Sequence, residues 1–159
     1  MPRPAGPPIG LKLAGTAKTV SKAFDQALAS AGGSLPMWLV LLSVKTRQRA
    51  NQRQLAAAIG IQGATLTHHL NAMEDDGLLT RRRDPTNRRV HVVELTALGE
   101  TAFHRLRDAA MSFDQRLRTG LDAEQLSTLG SLLDQLASNV TVPGDDLAVP
   151  QGPGAGLGS

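Results

Sequence analysis

The chain has 159 residues, with 17 Lys and Arg against 14 Asp and Glu and a formal net charge of +3, a size that suits one domain and buries a core without staples. It has no cysteine, which excludes disulfides, thiolate zinc sites and thiol-based redox sensing. No apolar run reaches membrane-spanning length, and the opening MPRPAGPPIG lacks the apolar segment of a signal peptide, so a cytoplasmic protein is expected.

Arginine dominates the cations, thirteen against four lysines. The planar guanidinium suits two-pronged contact with phosphate or guanine. A modest net charge with local basic clusters points to a docking surface rather than a wholly basic tail.

Residues 1–10 are rich in Pro and Gly and are expected to be disordered, as is the low-complexity Pro/Gly tail over residues 142–159. From about Leu11 to Ser30, Leu13, Val20, Phe24, Ala27 and Leu28 fall near helical spacing, and Gly32-Gly33 ends that helix. Ser34 is placed to cap the next helix, with Pro36 in its first turn. That helix, PMWLVLLSVK, is apolar nearly all round and should be buried. A short helix, QRQLAAAI, stops at Gly60. Then comes GATLTHHLNAMEDDG, in which Leu66, Leu70 and Met73 share one helical face and Gly77 is the terminator.

LLTRRRDPTNRRVHVVEL follows, Leu78 to Leu95. Two strand-like segments flank a turn, Asp84-Pro85-Thr86-Asn87, whose residues have turn chemistry. Arg81, Arg82, Arg83, Arg88 and Arg89 crowd that turn, and like charges so close weaken an isolated hairpin. A cluster maintained against that repulsion is expected to meet a polyanion. Thr96 can cap a long helix to about Arg118, with an apolar stripe of Leu98, Ala102, Phe103, Leu106, Ala110, Phe113 and Leu117. Gly120 ends it. Asp122 with Gln125 resembles a capping box for a last helix. There Leu126, Leu129, Leu133, Leu136 and Val140 repeat at alternating spacings of 3 and 4, a coiled-coil-like seam.

The expected fold class is mostly α: a winged helix-turn-helix with a two-stranded β-wing over residues 34–96, flanked by dimerisation helices over 11–33 and 97–141. The flanking helices carry more apolar surface than one small winged domain can cover, and a homodimer is the simplest cover. In QLAAAIGIQGATLTHHLNAME the first helix packs through Leu55, Ala56 and Ile59, and Gly60 to Gly63 turn the chain. The second helix would lie in a major groove with its N-terminal residues on base edges. Its outward positions include Ala64, Thr67, His68 and Asn71, with Thr65 near the helix start and Gln62 just before it. An arginine at a hairpin tip can enter the minor groove while its neighbours neutralise phosphates.

QRQLAAAIGIQGATLTHHLNAMEDDGLLTRRRDPTNRRVHVVELTALGE resembles the winged helix-turn-helix of the MarR family of bacterial transcription regulators. The features that match are the LA…IGI helix, TLTHHLNAMEDDGLL running into the wing, RRRDPTNRR, and the LTALGE entry to the long helix. With the flanking helices, the resemblance spans residues 11–141 as one domain. It implies a homodimeric repressor on a palindromic operator, with Gln62, Ala64, Thr65, Thr67, His68, Asn71, Arg81, Arg83, Asn87, Arg88 and Arg89 at the DNA. It also implies release by a small, often aromatic, ligand held between the dimer and DNA-binding regions. Trp38 is expected chiefly to pack in the core; as a further expectation it lines an effector pocket with His69 and Phe103. Dimer contacts are expected from Leu13, Val20, Phe113, Leu117, Leu126, Leu129, Leu133 and Leu136.

The sequence departs from the family pattern twice. The family's wing motif is Asp-x-Arg, and here it reads Asn87-Arg88-Arg89; Asn accepts a hydrogen bond from Arg89 without charge assistance. His68 stands where the family often has Arg, which predicts a more pH-dependent affinity. The histidines His68, His69, His91 and His104 fit no metalloprotease spacing, and no nucleophile elbow or phosphate loop is present. A non-enzyme without metal or cofactor is therefore expected. The alternatives are a winged-helix protein-interaction module or a non-specific DNA binder without effector control.

Overall fold

A computed structural model describes residues 6–47 and 50–141. The elements in chain order are α1 (Ile9–Ser30), α2 (Leu35–Thr46), β1 (Ala50–Asn51), α3 (Gln52–Ile59), α4 (Gly63–Asp75), β2 (Leu79–Arg83), β3 (His91–Leu95), α5 (Ala97–Leu117) and α6 (Ala123–Val140). Helix α1 begins at Ile9, so two of the ten residues expected to be disordered belong to its first turn. The tail over residues 142–159 lies outside the described residues.

The helix starts follow from local side-chain chemistry. Ser34 Oγ accepts from the Met37 N–H at 3.3 Å and opens α2. Thr96 Oγ1 accepts from the Gly99 N–H at 3.1 Å and opens α5. Asp122 and Gln125 form the expected reciprocal box on α6, and Asn51 with Gln54 forms a second on α3. Each cap satisfies N–H groups that have no partner within the helix and contributes about 1 kcal/mol. At the other ends, Gly60 and Gly77 take positive φ, 76° and 73°, where a Cβ is strained.

Helix α2 runs through the middle of the domain, with Trp38, Val40, Leu41 and Leu42 all buried. It shares one core with Leu28 of α1, Leu55 and Ile59 of α3, Leu66, Leu70 and Met73 of α4, and Phe103 and Leu106 of α5. Full burial of each such side chain contributes about 1.5–3 kcal/mol. The sheet joins this core through Leu79 and Val93.

The wing is the expected two-stranded antiparallel pair, β2 and β3, and a short third strand extends its sheet to the order β1-β3-β2, all antiparallel. The extra strand pairs Ala50 with Val93 and Asn51 with Val92, anchoring the start of α3 to the wing. In the wing, Leu79 lies opposite Leu95 and Arg83 opposite His91. Leu98, expected in the buried stripe of α5, is 62% exposed. Gly99 is buried in that turn instead, and a Cβ there would collide with the Leu78 carbonyl oxygen. Thr96 Oγ1 donates to the Gly77 carbonyl at 2.5 Å and the Thr96 N–H to that of Leu78 at 3.1 Å. This close backbone approach displaces the first turn of α5 from the core edge.

Candidate nucleic-acid interface

Helix α4 buries Leu66, Leu70 and Met73 and exposes Ala64, Thr65, His68 and Asn71, as the spacing predicts. Gln62 precedes it at the N-cap, exposed and making no side-chain capping bond. Thr67 is half-buried, and its hydroxyl donates to the Gly63 carbonyl at 2.9 Å and accepts from Gln52 Nε2 at 3.2 Å. The bond from Gln52 ties α3 to α4, and the one to Gly63 is local to the first turn of α4.

The wing arginines differ in exposure. Arg83, Arg88 and Arg89 are exposed. Arg82 donates to Glu94 Oε1 across the hairpin at 2.5 Å and stays 68% exposed. Arg81 differs: its Nε and Nη2 donate to Glu74 Oε2 at 2.9 and 2.5 Å, and Nη2 also donates to Asn71 Oδ1 at 2.6 Å. Only 17% of its side chain is exposed. Arg81, expected among the phosphate contacts, lies on the Leu79 side of the pleat facing α4 and makes these internal bonds. The Arg81 side-chain hydrogen bond holds the Glu74 carboxyl below its ordinary value, with smaller contributions in the same direction from the Arg81 backbone N–H and the charges of Arg81 and His91.

At the tip, Asp84 Oδ1 accepts from the N–H and hydroxyl of Thr86 at 2.8 and 2.6 Å. Asn87 Oδ1 accepts from the main-chain N–H of Arg89 at 3.2 Å. The side chain at 87 therefore orders the turn, while the expected hydrogen bond from the Arg89 guanidinium is not the one formed. Between the wing and the start of α3 lies a cleft of about 580 Å³, lined by Asn51, Gln52, Arg53, Arg89, Val90 and His91. Sequence reasoning missed Arg53. It stands two residues after the α3 N-cap, and the capping pattern Asn51-x-x-Gln54 marked that helix start.

Trp38 and Phe103 stack with ring centroids 5.7 Å apart, joining α2 to α5. Both belong to the core, 7% and 3% exposed, so the packing expectation for Trp38 describes their environment. The His69 ring is half-buried and lies 5.8 Å from that of His68. On the flanking helices, Phe113 packs on Phe24 of the same chain, centroids 5.0 Å apart, and Val20 is half-buried. Leu13, Leu117, Leu129 and Leu133 are between 39% and 48% exposed. Leu126 and Leu136 are half-buried, and α6 has no buried residue at all. Among the described residues no single helix is long and apolar enough to cross a membrane.

This geometry defines a winged helix-turn-helix protein. The model of the MarR family matches residues 34–91, and the resemblance carried by the recognition helix and wing is thereby established for that segment. Among solved structures, the transcriptional repressor CouR bound to a 23-mer DNA duplex is 27% identical, with a TM-score of 0.74 over 82% of this chain and 92% of that one. A MarR-family transcriptional regulator from Rhodococcus sp. is 23% identical, with a TM-score of 0.69 over 84% and 95%. A mutant MarR from E. coli complexed with operator DNA is 20% identical, with a TM-score of 0.73 over 81% and 93%. The last two likenesses speak to the fold.

Proposed function

We propose that the chain is a DNA-binding transcriptional regulator, acting as a homodimeric repressor on a palindromic operator. The observation that carries this reading is the pairing of α4, with its exposed Thr65, His68 and Asn71, with a wing whose Arg83, Arg88 and Arg89 are exposed. The DNA-bound state of CouR, which shares the fold along most of both chains, supports it. Each subunit would place the start of α4 in the major groove, with half-sites about one helical turn, ~10 bp, apart. Arg89 would enter the minor groove, where the potential is most negative.

The uncovered apolar seams of α1, α5 and α6 support a second copy as the cover. Near Ile9, Leu13, Leu133, Leu136 and Val140 the two terminal helices of one chain also border an apolar groove of about 290 Å³. For effector control, the stacked Trp38 and Phe103 bridge the winged region and the dimerisation helix. A small aromatic ligand inserted beside them, within reach of His69, would favour one dimer geometry over another through its differential affinity.

Fluorescence anisotropy tests the central claim. Purified protein is titrated into a labelled duplex from upstream of its own gene and into a scrambled duplex, at several salt concentrations. Tight binding to the first alone, with a steep salt slope, is expected. Equal weak binding to both would reduce the protein to a non-specific binder, and binding to neither at low salt would favour an acidic protein partner. Trp38 fluorescence, followed during titration with aromatic acids, tests the effector; a flat response removes it.

A further inference from the structure

We propose that Arg81 is a positioning residue. With Glu74 and Asn71 it fixes the wing to the recognition helix and turns the Asn71 amide so that its N–H donors meet the bases. This inference rests on the reading of α4 and the wing as a DNA-binding surface and deepens it.

Arg81 grips Glu74 twice. Its backbone N–H donates to Oε1 at 3.2 Å and its guanidinium to Oε2, so main chain and side chain hold one carboxylate together. Glu74 and Asn71 stand three residues apart on one face of α4, and the Arg81 fork reaches both. The contact therefore sets the angle between a strand of the wing and the helix. Lys has no planar fork and cannot reproduce that geometry.

The polarity of the Asn71 contact follows from chemistry. A guanidinium has donors only, so the Asn71 amide must turn its oxygen toward Arg81. That leaves the two Nδ2 hydrogens for the outer edge. Acceptors in the major groove, such as O6 and N7 of guanine or O4 of thymine, suit such an edge; the exocyclic amine of cytosine does not.

A direct phosphate contact and a positioning role predict opposite signs for one substitution. If Arg81 met phosphate, Glu74→Gln would release it and remove a negative charge near the DNA, so binding would tighten. If Arg81 positions the wing, Glu74→Gln loosens the clasp and binding weakens. Arg81→Lys separates the two cases again, since it keeps the charge and loses the fork.

The experiment uses a labelled duplex that the wild-type protein selects from a random-sequence pool, read by fluorescence anisotropy, with thermal melts to confirm folding. Glu74→Gln and Arg81→Lys are each expected to weaken binding about tenfold. The exchange Glu74→Arg with Arg81→Glu is expected to recover part of that loss. The salt slope of Glu74→Gln should match that of wild type, because the phosphate-facing cations are intact. Unchanged or tighter binding by Glu74→Gln overturns the proposal. Wild-type affinity in Arg81→Lys overturns it as well, and that variant decides the matter alone if the Gln variant fails to fold. If wild-type protein selects no duplex at all, the DNA-binding reading itself fails and takes this proposal with it.

Discussion

Arg105 of α5 donates through Nε to the main-chain carbonyl of Ala31, at 2.5 Å, just past the end of α1. The contact spans 74 positions of sequence and places a cation at the negative end of the α1 dipole. It links the C-cap of the first helix to α5. Arg105→Ala should cost about 1.5 kcal/mol, seen as a fall in Tm of about 3–6 °C for a chain of this size. An unchanged Tm would mean that the contact adds nothing to stability.

Gly99 is required by space rather than by φ. A Cβ there would meet the carbonyl oxygen of Leu78, a main-chain atom that also accepts from the Thr96 N–H. Backbone on both sides cannot yield cheaply, so Gly99→Ala should destabilise the fold by about 2–3 kcal/mol despite the better helix propensity of alanine. Urea unfolding measures it, and a gain in stability would contradict the close approach.

Glu74 makes the fold sensitive to acid. Its carboxyl in the folded chain lies below the ordinary value of 4.5, chiefly through the Arg81 side-chain hydrogen bond. The folded state therefore binds its proton less readily than the unfolded chain does. The stabilisation is present in full above pH 4.5 and is lost as pH falls through the lowered folded value. Urea midpoints of wild type and Glu74→Gln should differ at neutral pH and converge as pH falls below 4.5 and through the lowered folded value. A gap that stays constant with pH would dissociate it from this carboxylate.

At the interface with DNA, Arg89→Ala should lose about tenfold or more in affinity and flatten the salt slope by about one unit. Arg107→Ala, on α5 away from the wing, should lose much less. Equal losses in the two variants would count against the placement of Arg89 in the minor groove.

For the dimer, Leu133→Asp sets a charge in the α6 seam at a position 40% exposed in the single chain. Sedimentation velocity should then show a shift from dimer toward monomer. A monomeric wild type would remove the homodimer from the proposal altogether.

Much of this fold was legible because its signals are local. Ser34, Thr96 and the Asp122–Gln125 box start helices, and Gly60 and Gly77 stop them, through contacts at most a few residues apart. The face of α4 followed from the spacing of Leu66, Leu70 and Met73. What escaped is non-local or too brief. Strand β1 has two residues, too few to show alternation, and exists because β3 offers it an edge. Among five neighbouring arginines the composition singles out none, yet counting by two from buried Leu79 sets Arg81 on the inward face and Arg82 on the outward one. That alternation is legible in the sequence. The glutamate that meets Arg81 is not, since it depends on how α4 crosses the sheet. Leu98 carries the right period, and only the backbone approach at Gly99 displaces its turn from the core.

Helix α6 spans 18 residues, none of them buried within its own chain. A helix in that condition owes little of its order to the rest of the protomer, and on the homodimer reading its folding and its assembly are one event. Stability then becomes a function of how many copies are present. Well below the dissociation constant of the dimer, the concentration of DNA-competent species would rise with the square of the total protein concentration. The exposed seam would thus make operator occupancy a steep gauge of the protein's own abundance, a threshold set by leucines that never touch DNA.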